Sequence, residues 1–128
     1  MANLLASTAT ETFTPEQLFA GSADVVTQAV TIVSGQNLAQ YTVVGRIATG
    51  GKVKIAAIGA VDGSATPIGI LVNAVDASGG DKAGTIYIGG DFNRAALVWD
   101  STFDTDAKKA AAFDGTNITT RNLAYSVG

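Results

Sequence analysis

The densest group of side chains that could carry chemistry consists of three carboxylates, Asp100, Asp104 and Asp106. Such a group can bind a hard cation or act as a carboxylate pair in hydrolysis. The spacing does not fit an EF-hand loop, which has acidic ligands at alternate positions and glycine at the sixth. Acidic residues are also typical of a helix start, where they cap amide groups and face the positive end of the dipole. We therefore predict helix capping and no metal site.

The sequence contains neither cysteine nor histidine, which removes most other routes to catalysis. It excludes a disulfide, a Cys or His zinc site, a thiol nucleophile and a Ser-His-Asp triad. Gly50, Gly51 and Lys52 are similar to part of a phosphate-binding loop, but that motif's upstream glycine and its Ser or Thr after the lysine are missing. A hairpin turn accounts for them better. Any catalysis would have to rest on carboxylates, Lys or Tyr, and the sequence displays no recognisable active site, so the residues alone favour a binding or structural protein without a cofactor.

Charge and hydropathy limit the kinds of partner. Eight basic and eleven acidic residues give a net charge of -3, and positions 1–45 carry three acidic residues and no basic one. No basic stripe of the kind that binds nucleic acid is present. The longest apolar stretches, such as residues 68–75, are under half the roughly 20 residues of a spanning helix. We expect no nucleic-acid partner, no membrane partner and no export signal.

The elements that must position these side chains are mostly short strands. A chain that is 47% hydrophobic and 15% charged is not disordered, and its length fits one domain with one core. Glycine-containing turns separate segments rich in Val, Ile and Thr, which lie at residues 24–33, 41–47, 52–58, 67–72, 84–88 and 118–127. The pattern predicts a mainly β (α+β) fold, a compact single domain.

Two short helices are predicted late in the chain. The first covers residues 93–99. The second covers residues 105–112, with Asp104 or Thr105 as its N-cap and an Asp104–Lys108 pair at i,i+4. Because helices of this length are marginal on their own, packing against the core must hold them.

The first twenty residues differ from the rest. Residues 1–12 are small, polar and aperiodic, and their composition alone favours a frayed terminus over an arm that orders on a partner. The Thr and Phe content of residues 10–14 does suit an extended strand if a partner offers an edge. We therefore divide the chain into an N-terminal arm, residues 1–20, flexible until bound, and a β-rich domain, residues 21–128.

Several segments appear in a characteristic order. Residues 66–76 contain a Gly-Ile-Leu strand, residues 85–93 an aromatic strand, residues 96–99 an aliphatic segment ending in Trp, and residues 106–116 a Lys-Lys helix followed by Phe-x-Gly-Thr. This order resembles the head decoration proteins of lambda-like tailed bacteriophages. The arm adds to the resemblance, because Glu11, Thr12, Phe13 and Thr14 are similar to a short motif near that family's N-terminus.

The resemblance covers roughly residues 11–123 and implies a non-enzymatic capsid protein. Members of the family bind the outside of the expanded head as trimers, join neighbouring capsomers and strengthen the shell against packaged DNA. It implies a location on the outer surface of the virion capsid, with the host cytoplasm as the place of assembly. The implied partners are the major capsid protein and two further copies of the chain.

The resemblance also implies roles for particular residues. The arm would attach to the major capsid protein through Thr10, Glu11, Thr12, Phe13, Thr14 and Pro15. We expect core or trimer packing for Trp99, Phe113, Ile70 and Leu71.

A different class of function stays open, a small β-rich carbohydrate- or surface-binding module. Such a module needs exposed aromatic side chains, for which the candidates are Tyr41, Tyr87 and Tyr125. A lone Trp can also form a ligand platform, but it is more often a core anchor. An enzyme would need carboxylate or lysine chemistry in a pocket that the sequence does not display.

Overall fold

Eight strands build the domain in the computed structural model of the protein, which describes residues 24–122. The strands are β1 (Val26–Ile32), β2 (Asn37–Leu38), β3 (Val43–Arg46), β4 (Val53–Ile55), β5 (Pro67–Leu71), β6 (Val75–Asp76), β7 (Lys82–Asn93) and β8 (Asn117–Arg121). A 3-10 turn covers Arg94–Ala96, and the helix α1 covers Asp106–Ala111. With 42% strand and 9% helix, the structure confirms the mainly β fold.

Five of the strands close on one another. β1 pairs antiparallel with β7, and antiparallel pairing continues from β7 to β5, from β5 to β3 and from β3 to β4. β4 returns to β1 through a single parallel pair, in which Ile32 lies opposite Val53. β8 adds to β7 in parallel, while β2 and β6 form a separate two-stranded ribbon. The closed sheet gives the domain a rigid frame.

Two apolar clusters fill the domain, one on each side of β5. Ile70 and Leu71 are adjacent and both fully buried, yet they belong to different clusters, because successive side chains of a strand point to opposite faces. Ile70 packs with the aromatic cluster of Phe92, Leu97, Phe103 and Phe113. Leu71 packs with the aliphatic cluster of Ile32, Leu38, Val44, Val53 and Ile86.

Two strands need a glycine at the point where a neighbouring backbone segment passes close to them. A Cβ atom on Gly45 of β3 would collide with the Ser64 carbonyl, and one on Gly69 of β5 would lie 2.6 Å from the Tyr87 carbonyl oxygen. Ser64 itself is fully buried, and its hydroxyl donates to Asp62 Oδ1 at 2.5 Å. The two glycines thus allow the loop before β5, and strand β7, to pack directly on their neighbours.

The chain differs from the sequence prediction around residues 89–99. Gly89 and Gly90, which the sequence predicts as a strand end, lie inside β7, because pairing with β8 continues the strand to Asn93. The helix predicted over residues 93–99 is reduced to the 3-10 turn. Extended backbone resumes at Leu97, since Val98 donates its amide to Tyr41 and accepts from the amide of Val43.

Helix α1 and the β3–β4 hairpin agree with the prediction. The Thr105 side chain caps α1 by accepting from the Lys108 amide at 3.2 Å. Lys108 Nζ lies 2.7 Å from Asp104 Oδ1, as the i,i+4 spacing indicated. Gly50 and Gly51 both have positive φ and form the hairpin turn, which confirms the turn and not the phosphate loop.

Candidate functional site

Arg94 joins the last strand to the helix. Its side chain is only 12% exposed, and the guanidinium donates from Nη2 to the Thr120 carbonyl at 2.9 Å and from Nε to the Thr120 hydroxyl at 3.1 Å. Nη1 donates to both carboxylate oxygens of Asp106 at 3.1 Å. β8 and the first turn of α1 are therefore held together by one side chain.

Trp99 lies beneath α1 and fills the same corner of the domain. Its indole Nε1 donates to the Arg94 carbonyl at 3.2 Å, and its ring centroid lies 5.3 Å from that of Phe103 and 6.2 Å from that of Phe113. Lys109 Nζ lies 6.0 Å from the ring centroid, a cation–π arrangement. Phe113 is buried, whereas Trp99 is half-buried, so the indole is a packing element with one side toward solvent.

Replacing Trp99 with alanine is expected to lower the free energy of unfolding by about 2 kcal/mol, below the value for a fully buried Trp because the side chain is already partly exposed. Trp99→Phe keeps the ring contacts and loses only the indole hydrogen bond, so it should cost clearly less. Chemical denaturation of the three proteins provides the comparison. Equal stability of wild type and Trp99→Ala would contradict the packing role.

The three carboxylates near the start of α1 have separate structural partners. Asp100 accepts from the amide and hydroxyl of Thr102, at 3.0 and 2.7 Å, Asp104 pairs with Lys108, and Asp106 pairs with Arg94. Across residues 24–122, acidic side chains do not gather in threes at a place that could hold a metal ion. What these carboxylates do is cap turns and attach α1.

Acid should destabilise the domain through its paired carboxylates. The pKa of Asp106 is lowered by hydrogen bonds from Asn122 and Arg94, and the pKa of Asp104 by the hydrogen bond and charge of Lys108. Partners also lower the pKa of Asp62, Asp76 and Asp81. A lowered folded-state pKa contributes stability that is present above the ordinary value of 3.8 and is lost as pH falls through the folded pKa.

We therefore expect a melting temperature that is nearly constant from neutral pH to about pH 5 and that falls below about pH 4. Asp106→Asn should melt lower at neutral pH and lose less on acidification, because it has no carboxylate to protonate. Calorimetry of both proteins over that range measures the difference. Parallel pH profiles for the two proteins would contradict a contribution from the Arg94–Asp106 pair.

The residues expected to attach the arm, Thr10 to Pro15, lie outside the described residues, as does the expected boundary between arm and domain at residue 20. The description begins at Asp24, where Val25 and Val26 are each 47% exposed. A Cβ atom built on Gly89 or Gly90 would lie within 4 Å of one of these valines. The described part of the chain therefore begins beside Gly89 and Gly90 of β7, a position that the sequence alone did not indicate.

The two tyrosines within residues 24–122 do not form an open aromatic surface. Tyr41 and Tyr87 are half-buried against the aromatic cluster, and the Tyr87 ring lies 5.3 Å from that of Phe92. Tyr125, the third candidate for a sugar-binding platform, lies outside the described residues. The rings that the structure describes thus contribute to the core of the domain.

The charged groups of this corner, Arg94, Asp104, Asp106 and Lys108, serve contacts within the domain. Within residues 24–122, the helices are too short to cross a membrane. The family model for bacteriophage lambda head decoration protein D matches residues 8–119. The chain therefore belongs to the bacteriophage lambda head decoration protein D family, and it is a structural protein of the phage head that associates with the capsid. No curated protein sequence matches the chain significantly.

Proposed function

We propose that the protein binds the outer surface of the expanded phage head as a homotrimer and stabilises the shell against packaged DNA. The observation that carries this proposal is the family match over residues 8–119, which includes the arm as well as the closed sheet. The partners are the major capsid protein and two further copies of the chain. Nucleic acid and membrane are not partners, in keeping with the net charge of -3. Assembly onto the head takes place in the host cytoplasm.

The arm attaches the protein to the capsid through Thr10, Glu11, Thr12, Phe13, Thr14 and Pro15. This segment is rich in threonine, which favours an extended strand. Pro15 lacks an amide hydrogen and marks the end of the pairing segment. An extended segment of this kind can add to an exposed sheet edge, where backbone hydrogen bonds give affinity and side chains give specificity.

In a trimer, three arms that each bind weakly can together hold the protein on the capsid. An arm that orders only on binding loses conformational entropy, so a single contact is weak. When three arms belong to one particle, the second and third contacts become effectively intramolecular and the overall affinity rises. The closed sheet supports this arrangement, because a rigid body keeps the three points of attachment at fixed separations.

The body contributes stiffness through the corner that Arg94 and Trp99 build. The Arg94 guanidinium fixes β8 to α1, and the indole fixes the segment after β7 to the aromatic cluster. In a protein that joins capsomers, a stiff body transmits force between its attachment points.

The stabilising role is tested by heating expanded shells with and without the protein. Shells saturated with the full-length chain should disrupt at a higher temperature than bare shells, because binding to the intact shell only shifts its stability upward. Cryo-electron microscopy of the same samples should show three copies around each occupied three-fold position. Saturated shells that disrupt at the temperature of bare shells would contradict stabilisation, and monomeric density would contradict the trimer.

A further inference from the structure

The chain contains two Asp-Gly pairs, Asp62 with Gly63 and Asp114 with Gly115, and their surroundings differ. An aspartate followed by glycine is prone to isomerise, because glycine has no side chain to shield its amide nitrogen and its backbone bends freely. The fold decides whether the reaction proceeds, since the carboxyl group must reach the next backbone amide. The two pairs therefore allow a comparison within one molecule.

The carboxylate of Asp62 is held in place by three donors. Oδ1 accepts from the Ser64 amide at 3.0 Å and from the Ser64 hydroxyl at 2.5 Å, and Oδ2 lies 3.5 Å from Lys54 Nζ. The Ser64 hydroxyl is the main cause that lowers the pKa of Asp62, which reduces the protonated fraction from which water leaves most readily. Because Ser64 is fully buried, it cannot follow the carboxylate if that group turns away.

The backbone around Asp62 is fixed as well. Its carbonyl accepts from the Ala48 amide at 2.7 Å. A Cβ atom built on Gly63 would lie 2.9 Å from the Ala48 nitrogen and 3.1 Å from the Arg46 carbonyl oxygen, so Gly63 packs directly on the β3–β4 hairpin. Backbone packed this closely must open locally before it can bend into the five-membered ring that isomerisation requires.

Asp114 lies in an exposed turn between α1 and β8. Within residues 24–122, its carboxylate has neither a hydrogen-bond partner nor an ion-pair partner. The Thr116 amide closes the turn on the Phe113 carbonyl at 3.0 Å, and Gly115 has a φ of 84° with no atom within 4 Å of an added Cβ. The described part of the chain therefore does not hold the Asp114 side chain away from the next amide.

We propose that Asp114 is a site of spontaneous isomerisation to isoaspartate, and that the fold protects Asp62 from the same reaction. The Gly115 amide nitrogen attacks Cγ of Asp114, a bond forms between these atoms, the amide proton is lost and a carboxyl oxygen leaves as water. Water then opens the resulting succinimide ring. Breaking the new bond to Cγ restores aspartate, whereas breaking the original peptide bond leaves isoaspartate. The water taken up equals the water released, so no other reactant is needed.

Isoaspartate would add one carbon atom to the backbone at a point where both flanking segments are fixed. Phe113 is buried with its ring centroid 6.2 Å from that of Trp99, and Ile118 of β8 is buried in the same cluster. The Thr116 hydroxyl joins the two segments, since it donates to the Phe113 carbonyl at 2.6 Å and accepts from the Ile118 amide at 3.2 Å. A longer backbone at Asp114 should therefore loosen the connection between α1 and β8.

Modified copies would accumulate with the age of a virion. A protein that decorates a finished head is not replaced by new synthesis, so a slow reaction has time to proceed. This consequence rests on the proposed function, whereas the isomerisation itself is a property of the free protein.

Peptide mapping of aged protein tests the proposal. The full-length chain is incubated for weeks at neutral pH and physiological temperature, and trypsin then places the two Asp-Gly pairs in different peptides. Electron-transfer fragmentation distinguishes isoaspartate from aspartate at each position. Asp114 should be modified about tenfold faster than Asp62, because the carboxylate of Asp62 must first break its hydrogen bonds to Ser64.

The denatured chain is the matched control. In concentrated guanidinium chloride both pairs lose their contacts, and the residues that follow them, Ser64 and Thr116, are similar, so the two rates should converge. Asp114→Glu keeps the charge and should abolish the signal at this position, because glutamate would have to form a less favourable six-membered ring. Equal rates at the two sites in the folded protein, or a folded protein that stays unmodified at Asp114, would overturn the proposal. Neither result depends on whether the protein decorates shells.

Discussion

Removal of residues 1–13 is expected to lower the apparent affinity for expanded shells by about 10²- to 10⁴-fold. Under the proposed function, each arm would contribute a short run of backbone hydrogen bonds to a capsid edge, and a trimer would bring three such contributions together in one particle. Titration of labelled protein against a fixed amount of expanded shells, followed by sedimentation, measures the change. The body should remain folded, since the closed sheet begins at Val26.

A shorter deletion provides the matched control. A chain lacking only residues 1–9 keeps Thr10 to Pro15 and should bind nearly as tightly as the full-length chain. If the chain lacking residues 1–13 binds as tightly as wild type, the arm is not the attachment element. If both deletions weaken binding equally, attachment resides in residues 1–9 and the assignment of Thr10 to Pro15 is wrong.

Replacing Gly45 with alanine is expected to lower the free energy of unfolding by about 3 kcal/mol. The added methyl group would meet the carbonyl, carbonyl carbon and Cα of Ser64, all backbone atoms that cannot rotate away. To remove this collision, the loop before β5 would have to move away from β3, and that movement would also disturb the buried Ser64. Thermal and chemical denaturation both measure this loss.

Gly79→Ala is the control for this substitution. Gly79 has no atom within 4 Å of an added Cβ and does not have a positive φ, so alanine there should change stability by less than about 0.5 kcal/mol. Comparable stability of Gly45→Ala and Gly79→Ala would show that the loop before β5 yields easily and would contradict the tight packing described for β3.

The elements that can be predicted from the sequence are those whose signals are local. The apolar run at residues 67–72 predicts a buried strand, and Ile70 and Leu71 are indeed fully buried in β5. Thr105 at the N-cap and the Asp104–Lys108 spacing predict α1 almost to its ends. In each case the residues that define the element are neighbours along the chain.

Features that depend on distant segments could not be predicted in the same way. Gly89 and Gly90 resemble a strand end, but β8 pairs with β7 from Gly89 onward and carries the strand through them. The helical spacing of Ala95, Ala96 and Trp99 is overridden because Val98 pairs with backbone near Thr42 instead. Both outcomes follow from hydrogen bonds to residues far away in the sequence.

The candidate site likewise has parts that the local sequence predicts and parts that depend on distant residues. The arm motif is a local pattern, and the sequence alone indicates both its strand preference and its family resemblance. The Arg94 contacts depend on β8 and α1 lying side by side, which no local pattern of residues indicates.

The most direct test of head decoration is co-sedimentation of the full-length chain with expanded and unexpanded phage shells. We predict saturable binding to expanded shells and no binding to unexpanded shells, because the proposed function places the protein on the expanded head only. Failure to bind expanded shells that do bind their own decoration protein, or equal binding to both kinds of shell, would contradict it.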